Sequence, residues 1–119
     1  MNKTTTLIAS ISFFFAAQAG FACDYPDRVS LPSGGTATKD EMLTGQKDVK
    51  TFVASMEVYL ECIVEEEKLA RLAMDNLQPE VEQQREEMLN KKYNAAVEEM
   101  EKVAAQFNTE VQSYKGRDD

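Results

Sequence analysis

Asp75-Asn76-Leu77-Gln78-Pro79 is the stretch that decides the fold of this 119-residue chain. Asparagine tolerates the left-handed backbone at the end of a helix, and proline suits the first turn of the next helix, where its missing amide donor is not needed. Because the residues on both sides have helical periodicity, this short break predicts two helices that fold back on one another. A proline that only kinks one continuous rod is the alternative.

The helix before the break is predicted over residues 39–74. Thr38 and Glu41 have the spacing of a capping box, in which the hydroxyl accepts a first-turn amide and the carboxylate returns to the cap amide. Gly45 is expected to weaken the first turns, and Glu67 falls on the apolar face, where we expect looser packing. Apolar residues recur at steps of three and four, which is typical of an amphipathic helix. They are Met42, Val49, Phe52, Val53, Met56, Tyr59, Leu60, Ile63, Ala70 and Met74.

The helix after the break is predicted over residues 79–114. Pro79 begins it, and Glu80 and Glu82 favour the positive end of the helix dipole. Residues 116–119 are expected to fray. The apolar face of this helix consists of Leu89, Tyr93, Ala96, Val97, Met100, Val103, Ala104, Phe107, Val111 and Tyr114.

The core is predicted from the two apolar faces, which meet if the helices are antiparallel. The fold class is therefore all-α: an antiparallel, coiled-coil-like two-helix hairpin over residues 38–115. Reflecting the chain about residue 77 brings the large side chains together midway along the pair. In this way Phe52, Met56 and Tyr59 come near Phe107, Met100 and Tyr93, and the predicted core is Phe52, Met56, Tyr59, Ile63, Tyr93, Met100, Val103 and Phe107.

Residues 23–37 precede the helices, and their two prolines and two glycines rule out a helix. The spaced apolar residues Tyr25, Val29 and Leu31 predict an extended strap laid on the helices. Such a strap reaches about 50 Å at 3.3 Å per residue, whereas a helix over residues 38–62 covers roughly 36 Å. The strap is therefore long enough to run back along the first helix.

Residues 1–22 have the pattern of a secretory signal peptide. A positively charged start precedes an apolar block that is too short to span a bilayer comfortably. Small residues allow cleavage after Ala19 or after Ala22, and we favour Ala22 because it leaves Cys23 at the new terminus. Gly20 stands where a lipoprotein signal carries a larger aliphatic residue, which argues against lipidation.

Cys23 and Cys62 are the two cysteines of the chain. Export takes both to a compartment in which disulfides persist, and only one intramolecular pairing is possible. We therefore predict a Cys23–Cys62 disulfide that ties the strap to the first helix, in a periplasmic protein; secretion beyond the outer membrane is the alternative. Chain entropy predicts that closing this loop stabilises the fold by roughly 4 kcal/mol.

The chain is acidic, with a formal net charge of −8. This charge argues against nucleic acid and anionic membrane surfaces as partners, because both are bound through cationic patches. No stable membrane insertion is expected once the signal peptide is removed.

A resemblance covers most of the exported part of the chain. The sequence resembles a family of short uncharacterised exported helical proteins of Gram-negative bacteria, which implies a periplasmic helical protein with one disulfide. It also resembles, by size and helicity only, the small periplasmic helical chaperones. The residues that carry the family resemblance are Pro32, Gly35, Ala37-Thr38, Glu41-Met42, Gln46, Val49-Lys50, Phe52, Tyr59-Leu60 and Cys62, then Asn94-Ala95-Ala96-Val97, Met100-Glu101, Val103-Ala104, Phe107-Asn108, Val111 and Tyr114-Lys115.

Chemistry-bearing motifs are scarce. The chain has no histidine, which removes the usual general base and the commonest transition-metal ligand. The carboxylate pairs Glu61/Glu65 and Glu82/Glu86 lie one turn apart, but neighbouring cations favour a solvated helix face. We predict no catalytic residue, no metal site and no cofactor, and therefore a protein that is not an enzyme.

The function expected from these features is protein interaction. Two continuous apolar faces on so small a chain predict a helical module that offers part of its surface to a protein partner or to itself. A holdase-type periplasmic chaperone or envelope-stress component is one alternative. A carrier of a small ligand in the space beneath the strap is another.

Overall fold

The computed structural model describes residues 23–117. This part of the chain forms two helices, α1 (Lys39–Leu72) and α2 (Pro79–Lys115), and contains no strand. The helices pack against each other in antiparallel orientation, so the all-α hairpin is confirmed. The signal-peptide prediction for residues 1–22, with its cleavage site, lies outside the described residues.

The start of α1 is fixed by a capping box. The amide of Glu41 donates to Oγ1 of Thr38 at 3.2 Å, and the amide of Thr38 donates to Oε2 of Glu41 at 2.7 Å. These two bonds satisfy two amides that have no partner within the helix. Asp40 and Glu41 also place negative charge at the positive end of the dipole. The helix therefore begins at Lys39, where the sequence predicts it.

The break between the helices reverses the chain in six residues. The amide of Met74 donates to the carbonyl of Arg71, three residues back, and this tighter turn closes α1 at Leu72. Asn76 adopts a left-handed backbone with φ 54°, and Pro79 occupies the first position of α2. The helix ends two residues earlier than predicted, but the reversal uses the asparagine and the proline as the sequence indicates.

The register of the hairpin follows from two cross-helix contacts. The guanidinium of Arg85 bonds to Glu67, and a methyl group placed on Gly45 would lie 3.2 Å from Cε2 of Phe107. Both pairs reflect about residue 76, one residue from the centre used for the prediction. Phe107 therefore faces Gly45, whereas residue 52 lies level with Met100.

The buried core occupies one half of the hairpin. Met56 is fully buried at its centre, and no residue between positions 64 and 95 is buried. The half of the hairpin near the break between the helices, called here the loop end, is held together in another way. The core cluster consists of Val49, Phe52, Met56, Leu60, Ile63, Ala96 and Val103.

The predicted core residues are placed in three ways. Those buried are Phe52, Met56, Ile63 and Val103, and those half-buried against the cluster are Tyr59, Met100 and Phe107. Tyr93 differs, because 40% of its surface is exposed and it lies outside the cluster. Placing Tyr93 in the core was wrong because the ring of Tyr59 takes another partner, Tyr25 of the strap.

Candidate functional site

The strap, residues 23–37, lies in a groove between the two helices and is tied at its start by a disulfide. Cys23 is bonded to Cys62 in α1, with 5.6 Å between their Cα atoms. Near the other end, the ring of Pro32 lies against Gly45. Gly45 and Cys62 are seventeen residues apart, or about 25 Å along α1, and nine strap residues cover that distance at about 2.8 Å each. The strap is therefore extended, as predicted.

Two glycines let the strap approach the helices closely. A methyl group on Gly45 would lie 2.6 Å from Cδ of Pro32, and one on Gly34 would overlap the backbone carbonyl of Glu110. The amide of Gly34 also donates to the Glu110 carboxylate at 2.7 Å. Gly45 was expected only to weaken α1, but its lack of a side chain makes room for the strap. The strap thus touches α1 through Pro32 and α2 through Gly34.

Tyr25 connects the strap to both helices further along the groove. Its ring meets that of Tyr59 edge to face, with 5.0 Å between centroids. Burial raises the pKa of the Tyr25 hydroxyl, and the negative charge of Glu99 on α2 raises it further. The segment therefore covers the seam between α1 and α2 along this half of the hairpin.

Arg117 holds the strap in place, although residues 116–119 were predicted to fray. The guanidinium of Arg117 donates to the carbonyl oxygens of Gly34, at 3.3 Å, and Ala37, and it stacks on the ring of Tyr114 at 4.8 Å. The predicted frayed tail is wrong at Arg117 because the turn before α1 offers it these carbonyl groups. Residues 118–119 lie outside the described residues.

Beyond the disulfide the same groove is uncovered. Cys62 and Glu66 lie one turn apart on α1, and Sγ of Cys23 is 3.1 Å from Oε2 of Glu66. Glu66 lines a cavity of about 730 Å³ that continues between the helices toward the loop end. We call this cavity the open groove. It is lined by Ile63, Glu66, Glu67, Val81, Gln84, Arg85, Glu87, Met88, Leu89, Lys91 and Lys92.

An ion-pair cluster holds the helices together beneath the open groove. Arg85 of α2 donates to both carboxylate oxygens of Glu67, at 2.8 and 3.0 Å, and Arg71 donates to Oε1 at 3.0 Å. Arg71 also lies 3.7 Å from the Glu82 carboxylate. Burial alone would raise the pKa of Glu67, but the bonds to the two arginines outweigh it and lower that pKa. Glu67, expected to loosen the packing, instead joins the helices where apolar contacts end.

Large apolar side chains are exposed around the open groove. Met88 is 60% exposed and Val81 is 41% exposed on α2, while Leu69 is 43% exposed on α1. Leu72 and Met74 add further exposed apolar surface at the break. A soluble monomer rarely groups such side chains without a use for them, so the open groove is the candidate functional site.

The open groove has the chemistry of a binding surface. Within the described part of the chain, no three histidine, cysteine, aspartate or glutamate side chains are grouped so that they could hold a metal ion. No helix of residues 23–117 has an apolar stretch long enough to cross a bilayer. The rim carries both signs of charge, with Glu66 and Glu87 beside Lys91 and Lys92. The groove therefore combines apolar side chains with charged groups of both signs.

Sequence reasoning did not find the open groove. The sequence does contain a pattern that indicates the groove, a second set of residues on one face of α2 at steps of four, three and four. These residues are Val81, Arg85, Met88 and Lys92. These residues lie beside the predicted apolar face that begins at Leu89. The α2 surface is therefore broader at the loop end than a single apolar stripe indicates.

Comparison of this chain with known protein families, curated proteins and solved structures finds no match. The resemblance to short exported helical proteins therefore stays a prediction.

Proposed function

We propose that this chain is a periplasmic, non-enzymatic protein-interaction module that binds a protein partner through the open groove. The observation that carries the proposal is the unequal covering of one continuous groove. From Cys62 to the start of α1 the strap fills the groove, whereas from Ile63 to the loop end nothing in the described chain fills it. The uncovered half is the part available to another molecule.

The exposed side chains of the open groove supply the driving force for binding. Burying a side chain such as Met88 contributes roughly 1.5–3 kcal/mol when it passes from full exposure to full burial. Because Met88 and Val81 are already partly covered, each contributes less than this. A partner that covers Met88 and Val81 gains apolar contacts beside the charged side chains of the groove, a combination that is usual in protein interfaces.

The ion pairs below the open groove support a stable binding surface. Arg71 and Arg85 both donate to Glu67, and the bonds from Arg85 join the two helices without a partner. A preformed surface of this kind avoids the ordering cost of a flexible one. The open groove is thus suited to binding without a rearrangement of the hairpin.

The periplasmic and non-enzymatic parts of the proposal rest on the sequence and the disulfide. A disulfide such as Cys23–Cys62 is typical of an oxidising compartment, in agreement with the signal-peptide pattern of residues 1–22. The absence of histidine from the sequence removes the side chain that most often acts as general base near neutral pH.

Site-specific photo-crosslinking in living cells tests the proposal. A photoreactive residue replaces Met88 in one variant and Val58 in a control, since Val58 is similarly exposed, at 67%, but does not line the groove. We expect a discrete crosslinked protein from position 88 and none from position 58. Equal crosslinking from both positions, or none from position 88, would contradict the proposal.

A holdase-type chaperone is a second candidate, and the methionines favour it. Met74 and Met88 are both exposed near the loop end, and flexible methionine side chains adapt to many apolar sequences. A holdase suppresses the aggregation of several unrelated unfolded clients at near-stoichiometric amounts, and Met88→Lys should weaken that suppression. Suppression that is absent, or equal in Met88→Lys and wild type, would exclude this use of the groove.

The carrier alternative finds less support. The strap approaches the helices so closely that a methyl group on Gly34 or Gly45 would overlap its neighbours. The space beneath the strap is therefore filled by the protein itself at both positions, and the larger opening lies beyond the disulfide.

A further inference from the structure

We infer that the open groove binds an extended segment of a partner protein, about five or six residues long, that continues the path of the strap. This inference rests on the proposed function and names the conformation of the bound partner. The strap is an extended peptide already seated in the same groove.

The groove continues past the disulfide. The strap begins at Cys23, bonded to Cys62, and the open groove begins one residue further along α1 at Ile63. Glu66 lies 3.1 Å from Sγ of Cys23 and lines the groove on the other side. With cleavage after Ala22, a segment in the open groove meets the start of the strap end to end.

The covered half of the groove holds a peptide in an extended conformation. The strap advances about 2.8 Å per residue, close to an extended or polyproline chain and nearly twice the rise of a helix. Tyr25, Val29 and Leu31 are its apolar residues, and Val29 and Leu31 pack against the core. The groove thus already receives the side chains of a non-helical peptide. Val81, Met88 and Leu89 offer similar contacts in the open half.

The open half of the groove is short. The residues of α2 that line the groove run from Val81 to Lys92, about 16 Å along the helix, and the disulfide closes one end. A helix of that length has about ten residues, which is marginally stable by itself in water. An extended segment fills the same length with five or six residues. The short, closed groove therefore favours the extended form.

The rim indicates the charge of the segment. Glu66 and Glu87 face the same groove as Lys91 and Lys92, while Glu67 is occupied by its arginine partners. A strongly acidic or strongly basic segment would meet like charge on one side. The segment that fits is apolar, with little net charge.

The test selects peptides on the oxidised, processed protein. Random nine-residue peptides displayed on phage are selected on it, and the bound peptides are synthesised and measured by fluorescence polarisation. Each residue from the fifth to the eighth position of the tightest peptide, beyond the first turn of a helix, is then replaced by proline in turn. An extended binder tolerates proline at one or more of these positions, with a change in affinity below about threefold, whereas a helix loses binding at each.

Two variants locate the binding site. Met88→Lys should weaken the peptide at least about tenfold, while the control Val58→Lys should change its affinity less than about twofold. Equal effects of the two variants, or no selected peptide, would overturn the inference.

A peptide that loses binding at every proline position but still depends on Met88 would also overturn it, in favour of a helical partner. That result leaves the proposed function standing, since the crosslinking from position 88 is measured separately. The loss of both the peptide and the crosslink removes the two proposals together.

Discussion

Gly34→Ala and Gly35→Ala form a matched pair that tests how the strap is seated. Both glycines lie in the turn before α1, and neither has a positive φ. A methyl group on Gly35 meets nothing within 4 Å, whereas one on Gly34 overlaps the carbonyl oxygen of Glu110 and lies 3.0 Å from the amide nitrogen of Tyr114. Both obstacles are backbone atoms of α2, so no side-chain rotation relieves the overlap.

The expected effects have opposite signs. Each substitution restricts the unfolded chain and by itself stabilises the protein by about 0.4–1 kcal/mol. For Gly34→Ala this gain is opposed by overpacking, which typically costs about 1–3 kcal/mol. If the turn lifts away, the bond from the Gly34 amide to the Glu110 carboxylate is lost as well, at about 1.5–3 kcal/mol. We expect Gly34→Ala to lower the free energy of unfolding by roughly 2–3 kcal/mol and Gly35→Ala to leave it unchanged or raise it.

Urea unfolding of the oxidised protein, followed by helical circular dichroism, measures both variants. The midpoint should fall for Gly34→Ala alone, with a similar slope for both variants. Equal midpoints for the two variants would refute the close contact between the strap and α2.

Further predictions concern the disulfide, the ion pairs and the chain end. Replacing Cys23 and Cys62 by serine should lower the free energy of unfolding by about 4 kcal/mol, measured by urea unfolding, and an unchanged midpoint would contradict the structural role of the bond. Glu67→Gln should destabilise the protein near neutral pH. Because the folded-state pKa of Glu67 lies below its ordinary value, the difference in stability from wild type should persist at pH values above that ordinary value and vanish as the pH falls through the folded-state pKa. A difference independent of pH would count against the ion pairs. Arg117→Ala should speed amide exchange at Thr36 and Ala37, measured by NMR, and unchanged exchange would show that the arginine does not hold this turn.

The elements of the hairpin were predictable because their signals are local. Thr38 and Glu41 lie three residues apart and make their own cap, and Asn76 and Pro79 act within a single turn of chain. The disulfide was predictable for another reason, since two cysteines allow one pairing. Such features depend on neighbouring residues, or on the number of cysteines in the chain.

The contacts of the strap were not predictable because they depend on the register between distant segments. From the sequence, Gly45 is only a residue that weakens a helix and Gly34 is only a turn residue. Their roles become clear once the structure places Pro32 against Gly45 and α2 beside Gly34. Arg117 was predicted to lie in a frayed tail because its partner, the carbonyl of Gly34, is distant in the sequence. In each case the partner lies many residues away in the sequence.

The candidate site was hidden by the same uncertainty. Glu67 on the apolar face signals a polar partner, but Arg85 is identified only when the helices are aligned about residue 76. The open half of the groove depends on where the strap stops, and Cys62 fixes that point. The sequence predicted that apolar surface would remain exposed, although it did not predict where.

Methionine oxidation tests most directly whether the groove is covered in one half and open in the other. Dilute hydrogen peroxide is added to the native, oxidised protein, and the sulfoxide at each methionine is followed by peptide mass spectrometry. We expect Met88, 60% exposed, and Met74, 38% exposed, to oxidise rapidly, while Met56, fully buried, and Met42, 7% exposed, stay protected until the protein unfolds. Protection of Met88 equal to that of Met56 would contradict an open groove at the loop end.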